Sequence, residues 1–120
     1  MRILYVDDEA DIREVAAMAL ELEPGFEVRS CASGAEALAV VTEWHPDLIL
    51  LDVMMPQMDG PAVLARLRQR PATADTPVLF VTARTQQQEV AQLRALGAQG
   101  VIAKPFDPMT LGRQARDALG

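Results

Sequence analysis

Asp7, Asp8, Asp52, Thr82 and Lys104 share one local context, in that each closes or directly follows a short apolar run. Ile3-Leu4-Tyr5-Val6 is cut off by Asp7-Asp8-Glu9, and Leu48-Ile49-Leu50-Leu51 runs straight into Asp52. Val78-Leu79-Phe80-Val81 ends at Thr82, and Val101-Ile102-Ala103 ends at Lys104-Pro105. Three carboxylates brought together repel, at ~4 Å and an effective dielectric of ~20, by about 4 kcal/mol per pair before relaxation. One ammonium does not offset that, so a divalent cation is the natural complement. Oxygen ligands without His or Cys select Mg²⁺, Mn²⁺ or Ca²⁺ over zinc, and three carboxylates with room for water suit Mg²⁺ best. A hard cation, a carboxylate, a hydroxyl and a lysine together can carry out phosphoryl transfer. Asp52 can attack phosphorus while Thr82 and Lys104 hold phosphoryl oxygens. Lys104 is the only lysine among eleven basic residues, and its compact point charge fits that role in a chain that otherwise uses Arg.

These residues need a scaffold that delivers strand ends to one place. Ile12, Val15, Ala16, Ala19 and Leu20 follow helical spacing, and Pro24-Gly25 stops the helix. Phe26, Val28 and Ser30 alternate with Glu27, Arg29 and Cys31, as in a half-exposed edge strand. Ser33 and Glu36 have capping-box spacing before Ala37, Leu38 and Val41. Val63, Leu64 and Leu67 mark a third helix, with Asp59 helping the Gly60-Pro61 start. Thr85 and Gln88 repeat the capping-box spacing before Val90, Leu93 and Leu96. Asp107-Pro108 pairs an N-cap with a first-position proline ahead of Leu111, Ala115, Ala118 and Leu119.

Strict alternation of continuous apolar strands with helices predicts a doubly wound α/β fold: a five-stranded parallel sheet flanked by five helices. In the flavodoxin-like order 2-1-3-4-5, strands 1, 3, 4 and 5 are successive neighbours. Their carboxyl ends, where such folds bind ligands, then bring the five residues into one crevice.

The 120 residues fit one compact domain, with a folded surface of roughly 6,400 Å². A net charge of −6 argues against phosphate-backbone binding and against an anionic membrane surface. The single cysteine, Cys31, makes no internal disulfide and fits packing in a reducing, cytoplasmic compartment. No signal peptide or membrane span is expected. Trp44 is expected to cover the end of the second helix, His45 to lie on the surface, and Glu9 to serve the first helix's dipole.

Four motifs in order, Val6-Asp7-Asp8-Glu9, Leu51-Asp52-Val53-Met54-Met55-Pro56 with Asp59-Gly60, Val81-Thr82-Ala83 and Lys104-Pro105-Phe106, resemble the receiver domains of two-component response regulators. The resemblance covers essentially the whole chain and implies one receiver domain over residues 1–120. It implies that Asp52 is phosphorylated by a histidine kinase, a histidine phosphotransfer protein or a small phosphodonor. Asp7 or Asp8 would bind Mg²⁺ with Asp52 and the Met54 carbonyl, Asp8 being the surer ligand. Thr82 and Lys104 would contact the phosphoryl group, Ala83 would lend a backbone N–H, and the Lys104–Pro105 bond would be cis. The domain would not be an enzyme with turnover, promoting only its own phosphorylation and dephosphorylation. Output would pass to a downstream protein through the face of the fourth helix, fifth strand and fifth helix, without direct nucleic-acid contact. The chain would either act alone or be part of a longer regulator.

One position departs from the family's pattern. Receivers usually carry Tyr or Phe three residues before the lysine, and its rotamer couples phosphorylation to output. Here Val101 stands there, and a β-branched side chain cannot make that swing. Output is then expected to rely on the segment after Thr82 and on the fourth helix. Met54 and Arg84, each two residues past a site residue, are expected to flank the path of attacking water and slow loss of phosphate. Two competing readings remain: a pseudo-receiver that binds protein without phosphorylation, against which Asp52, Thr82 and Lys104 count, and a flavodoxin-like electron carrier. The latter requires a Ser/Thr/Gly-rich phosphate loop where this chain has three acids.

Overall fold

Each apolar run becomes a strand in the computed structural model, which describes residues 1–119. The strands are β1 (Arg2–Val6), β2 (Glu27–Cys31), β3 (Leu48–Asp52), β4 (Val78–Thr82) and β5 (Gly100–Ala103). They alternate with α1 (Ala10–Glu21), α2 (Gly34–Glu43), α3 (Gly60–Arg68), α4 (Gln87–Ala95) and α5 (Leu111–Ala118). All neighbouring strands pair in parallel, in the order β2-β1-β3-β4-β5, so the doubly wound arrangement is as expected. The accessible surface, 6553 Å², agrees with the scaling value. No helix among the described residues is long and apolar enough to cross a membrane.

The central strands are apolar on both faces because both faces are covered. Leu4, Val6, Ile49, Leu51, Val78 and Phe80 pack with Ala37, Leu38 and Val41 of α2 and Val63, Leu64 and Leu67 of α3. On the other face, Ile3, Tyr5, Leu48, Leu50, Leu79 and Val81 meet Ala16, Ala19 and Leu20 of α1 and Leu111 and Ala115 of α5. Cys31 is a buried packing residue, and burial pushes its thiol up to about 12. Trp44 is buried at the end of α2, where its indole N–H donates to Glu27, and His45 is exposed.

Some helix details differ from the periodicity reading. Ser33 caps α2 as expected, its hydroxyl accepting from the Glu36 N–H while Glu36 accepts from the Ala32 N–H. Thr85 does not cap α4: the N-cap is Gln86, with no side-chain capping bond, and no residue of α4 is buried. Leu93 packs against the core edge, whereas Leu96 is exposed. Asp107 organises a turn rather than α5 itself, its carboxylate accepting from the Met109 N–H, and the N-cap of α5 is Thr110. Val15 is exposed instead of facing the core. The buried seam of α1 runs through Ala16, Ala19 and Leu20, leaving Val15, Met18 and Leu22 as an apolar strip on its flank.

Backbone pairing beyond the strands positions the crevice. The Asp7 N–H donates to the Cys31 carbonyl (3.1 Å), Val53 to Val81 (3.1 Å) and Lys104 to Thr82 (2.9 Å). The loop after Asp52 is held against its own strand by Gly60, whose N–H donates to the Val53 carbonyl. A Cβ at position 60 would lie 2.5 Å from the Asp52 carbonyl oxygen and 2.9 Å from the Val53 Cα, so only glycine fits this approach. Asp59 caps α3 by accepting from the Ala62 N–H, the structural role expected of it.

Candidate functional site

The carboxyl ends of β1, β3, β4 and β5 meet, and the residues that follow each apolar run converge there. Asp7, Asp8 and Asp52 each offer a carboxylate oxygen, all lying within 4.8 Å of one another. Lys104 Nζ stands 3.0 Å from Asp7 Oδ2, 3.5 Å from Asp52 Oδ2 and 3.6 Å from Glu9 Oε1. A crevice of about 210 Å³ opens over them, lined by Glu9, Asp52, Met54, Thr82, Ala83, Arg84 and Lys104. Met54 and Arg84 both line this crevice. Thr82 is buried, and its hydroxyl oxygen accepts from the Arg84 N–H at 3.1 Å. The Lys104–Pro105 peptide is cis.

The three acids occupy different environments. Asp7 is fully buried and held on several sides. Tyr5 donates its hydroxyl to Asp7 Oδ2 at 3.0 Å, the Glu9 N–H donates to Oδ1 at 3.0 Å, and Arg13 donates to the Asp7 carbonyl at 2.8 Å. Asp8 is exposed. Asp52 is buried, and its carboxyl is pushed up to about 6 by that burial and then by the negative charge of Asp7. Lys104 and the Met54 N–H act in the opposite direction on Asp52. For Lys104, burial favours the neutral amine, but the Asp7 hydrogen bond and the charges of Asp52, Asp7 and Glu9 outweigh it and raise its pKa. The lysine is therefore a full positive charge at neutral pH. This all-oxygen donor set of three clustered carboxylates, with neither His nor Cys, fits a hard divalent cation.

The motifs alone leave part of this site out. Glu9 does more than serve the dipole of α1, since its carboxylate approaches Lys104 and lines the crevice. Tyr5 could have been found from strand parity, because residues two apart share a face and Tyr5 precedes Asp7 by two. Arg13 had no such signal: its reach to Asp7 depends on how α1 leaves the sheet.

Fold and site together define a flavodoxin-like receiver module. The family model described as response regulator receiver domain matches residues 3–116, and the chain belongs to that family. It is 41% identical over 117 residues to the phosphate regulon transcriptional regulatory protein PhoB of Pseudomonas aeruginosa, covering 98% of this chain and 51% of that protein. With the probable transcriptional regulator ycf27 of Porphyridium aerugineum it shares 38% over 118 residues, covering 98% of this chain and 48% of the relative. The chain thus spans about half the length of the curated relatives it matches. Among solved structures, chemotaxis response regulator CheY4 of Vibrio cholerae superposes with a TM-score of 0.90 at 34% identity, covering 98% of this chain and 97% of that one. The signal receiver domain of a histidine kinase from Syntrophus aciditrophicus gives 0.84 at 30% identity, covering 98% and 89%. Receiver domains are signalling modules of two-component systems rather than turnover enzymes.

Proposed function

We propose that this chain is a single phosphorylatable receiver domain over residues 1–120, taking a phosphoryl group on Asp52 from a phosphohistidine in a Mg²⁺-dependent reaction. The observation that carries this reading is the placement of Lys104 Nζ 3.5 Å from Asp52 Oδ2 at the mouth of a crevice that also holds Thr82. An Asp52 oxygen forms the new bond to phosphorus as the bond from phosphorus to the donor nitrogen breaks. That nitrogen keeps the electron pair and takes a proton. Lys104 neutralises charge on the transferring oxygens, the Thr82 hydroxyl donates to one of them, and the Ala83 N–H supplies a further donor. A divalent cation, when bound, neutralises phosphoryl charge, and Asp7, Asp8, Asp52 and the Met54 carbonyl would hold it. Asp8 is the more available ligand, since both Asp7 oxygens already accept hydrogen bonds.

The donor partner is a histidine kinase or histidine phosphotransfer protein in the cytoplasm. The exposed strip of Val15, Met18 and Leu22, with Pro108 beside it, gives such a partner an apolar footing on α1. The downstream protein is proposed to use the face of α4, β5 and α5, where Gln86, Gln87, Gln92, Arg94 and Arg113 are all exposed.

Incubation with acetyl phosphate and Mg²⁺ followed by intact-mass measurement tests the reading. The expected result is a gain of one phosphate that is absent in Asp52→Ala and in EDTA. No adduct with acetyl phosphate or with a phosphorylated kinase would instead favour a pseudo-receiver.

A further inference from the structure

A second cavity, of about 160 Å³, adjoins the crevice and shares Thr82 and Arg84 with it; Val53, Glu89, Gln92 and Leu93 complete its lining. Two observations in this cavity belong together. Glu89 Oε2 is buried and has no hydrogen-bond partner. The Arg84 guanidinium enters no ion pair or side-chain hydrogen bond among the described residues, where only the Arg84 backbone N–H is engaged, by Thr82. Arg84 is the one cationic residue lining this cavity and Glu89 the one anionic residue. A carboxylate oxygen taken from water without a partner is unfavourable, so the opposite charge across the cavity is its natural compensation.

Arg84 also lines the crevice over Asp52. If Asp52 is phosphorylated as proposed above, a phosphoryl group of about −1.5 to −2 replaces the carboxylate's single charge, so the crevice becomes more negative by about 0.5 to 1 and gains three strong acceptors, for which a planar guanidinium is well suited. Arg84 then stands between two anions, one permanent and one that comes and goes. We propose that Glu89 is a positioning residue for Arg84, holding its charge toward the second cavity while Asp52 is free and yielding it to the phosphoryl group once that forms. Glu89 lies in the first turn of α4, a helix with no buried residue and no side-chain N-cap. Moving Arg84 away leaves the Glu89 carboxylate unbalanced in that turn, so the state of Asp52 is felt by α4 through charge. This route needs no aromatic rotamer, and Val101 offers none.

Two measurements test the proposal. The first is a double-mutant cycle on urea unfolding with no phosphodonor, using Glu89→Gln, Arg84→Gln and both. The two sites are expected to be non-additive by about twofold or more in the folding equilibrium constant, and strict additivity overturns the resting coupling across the cavity. The second is a titration of acetyl phosphate in Mg²⁺ buffer, with phosphorylation followed by mass. Glu89→Gln is expected to lower the half-saturating donor concentration about threefold, because the released Arg84 charge then faces the anionic donor. Glu89→Asp, which keeps the charge, is expected to stay near wild type, as is Glu89→Gln in the Arg84→Gln background relative to Arg84→Gln alone. An equal lowering in the Arg84→Gln background, or none in wild type, overturns the proposal. A wild type that gains no phosphate while the unfolding cycle shows coupling overturns the transfer to phosphoryl and the function it rests on, but not the coupling of Glu89 to Arg84 across the cavity.

Discussion

Lys104 Nζ lies closer to Asp7 Oδ2 (3.0 Å) than to Asp52 Oδ2 (3.5 Å), so the lone lysine is shared unequally between two buried carboxylates. Asp7 has the stronger claim because Tyr5 and the Glu9 N–H already orient it toward the lysine. Asp52 is left partly uncompensated, so that burial first, and then the charge of Asp7, raises its pKa. A residue proposed to accept a phosphoryl group is thereby held in an environment that a cation or a new bond can relieve.

Asp52 consequently weakens the fold at neutral pH when no metal is present. Its folded pKa of about 6 exceeds the ordinary 3.8, so its favourable contribution is complete below about pH 3.8 and disappears as pH rises through about 6. In EDTA, Asp52→Asn is expected to be more stable than wild type at pH 7 by about 1–3 kcal/mol, with the advantage shrinking toward pH 4. Urea unfolding midpoints across that range read the difference. A gap independent of pH would refute this origin.

Lys104→Met acts in the opposite direction. It removes the cation that faces three acids, one of them fully buried, at a cost of about 3 kcal/mol at pH 7 in metal-free buffer. Combining it with Asp52→Asn should recover more than Asp52→Asn gains in the wild-type background, because without the lysine the uncompensated Asp52 charge costs more. A double variant whose change equals the sum of the two single changes in the same urea assay would exclude a shared electrostatic cause.

The loop between Asp52 and α3 offers a pair of changes with opposite signs. The Met58 N–H donates to the Pro56 carbonyl at 2.8 Å, closing a three-residue turn with Gln57 at φ 72°. Glycine accepts that φ without the side-chain penalty, so Gln57→Gly is expected to raise stability by about 0.5–1 kcal/mol. Gly60→Ala should lower it by about 2–4 kcal/mol, because the added methyl meets backbone atoms of Asp52 and Val53 rather than a movable side chain. Thermal unfolding of the two variants checks both signs.

Hydrogen exchange should place α4 at the low end of local stability. With no buried residue and no side-chain cap, amides of Gln87–Ala95 are expected to exchange about tenfold or more faster than those of the buried seam of α1. Exchange across residues 82–96 should also change on phosphorylation. Indistinguishable exchange in the two states would remove this segment as the output element.

The order of elements and the strand-end chemistry were legible without coordinates. A fully buried parallel strand reads as an unbroken apolar run, and Asp7, Asp52, Thr82 and Lys104 punctuate such runs, so their convergence followed from topology alone. Capping was legible where the cap is local and paired, as at Ser33 with Glu36 and at Asp59. It was not at Thr85 or Asp107, where the chain turns before the helix begins and a different residue takes the N-cap.

The residues by themselves therefore determined the fold and the crevice in which the carboxylates cluster, because period, punctuation and charge are local properties of the chain. Tertiary structure alone decided which face of α1 is buried, and hence that Val15 is exposed. It also decided that Tyr5 and Arg13 hold Asp7, that Lys104 favours Asp7 over Asp52, and that Glu89 shares a cavity with Arg84. Each of these depends on the rotation of a helix or the reach of a side chain across the sheet. Packing between elements far apart in sequence sets those quantities, and no spacing along the chain encodes them.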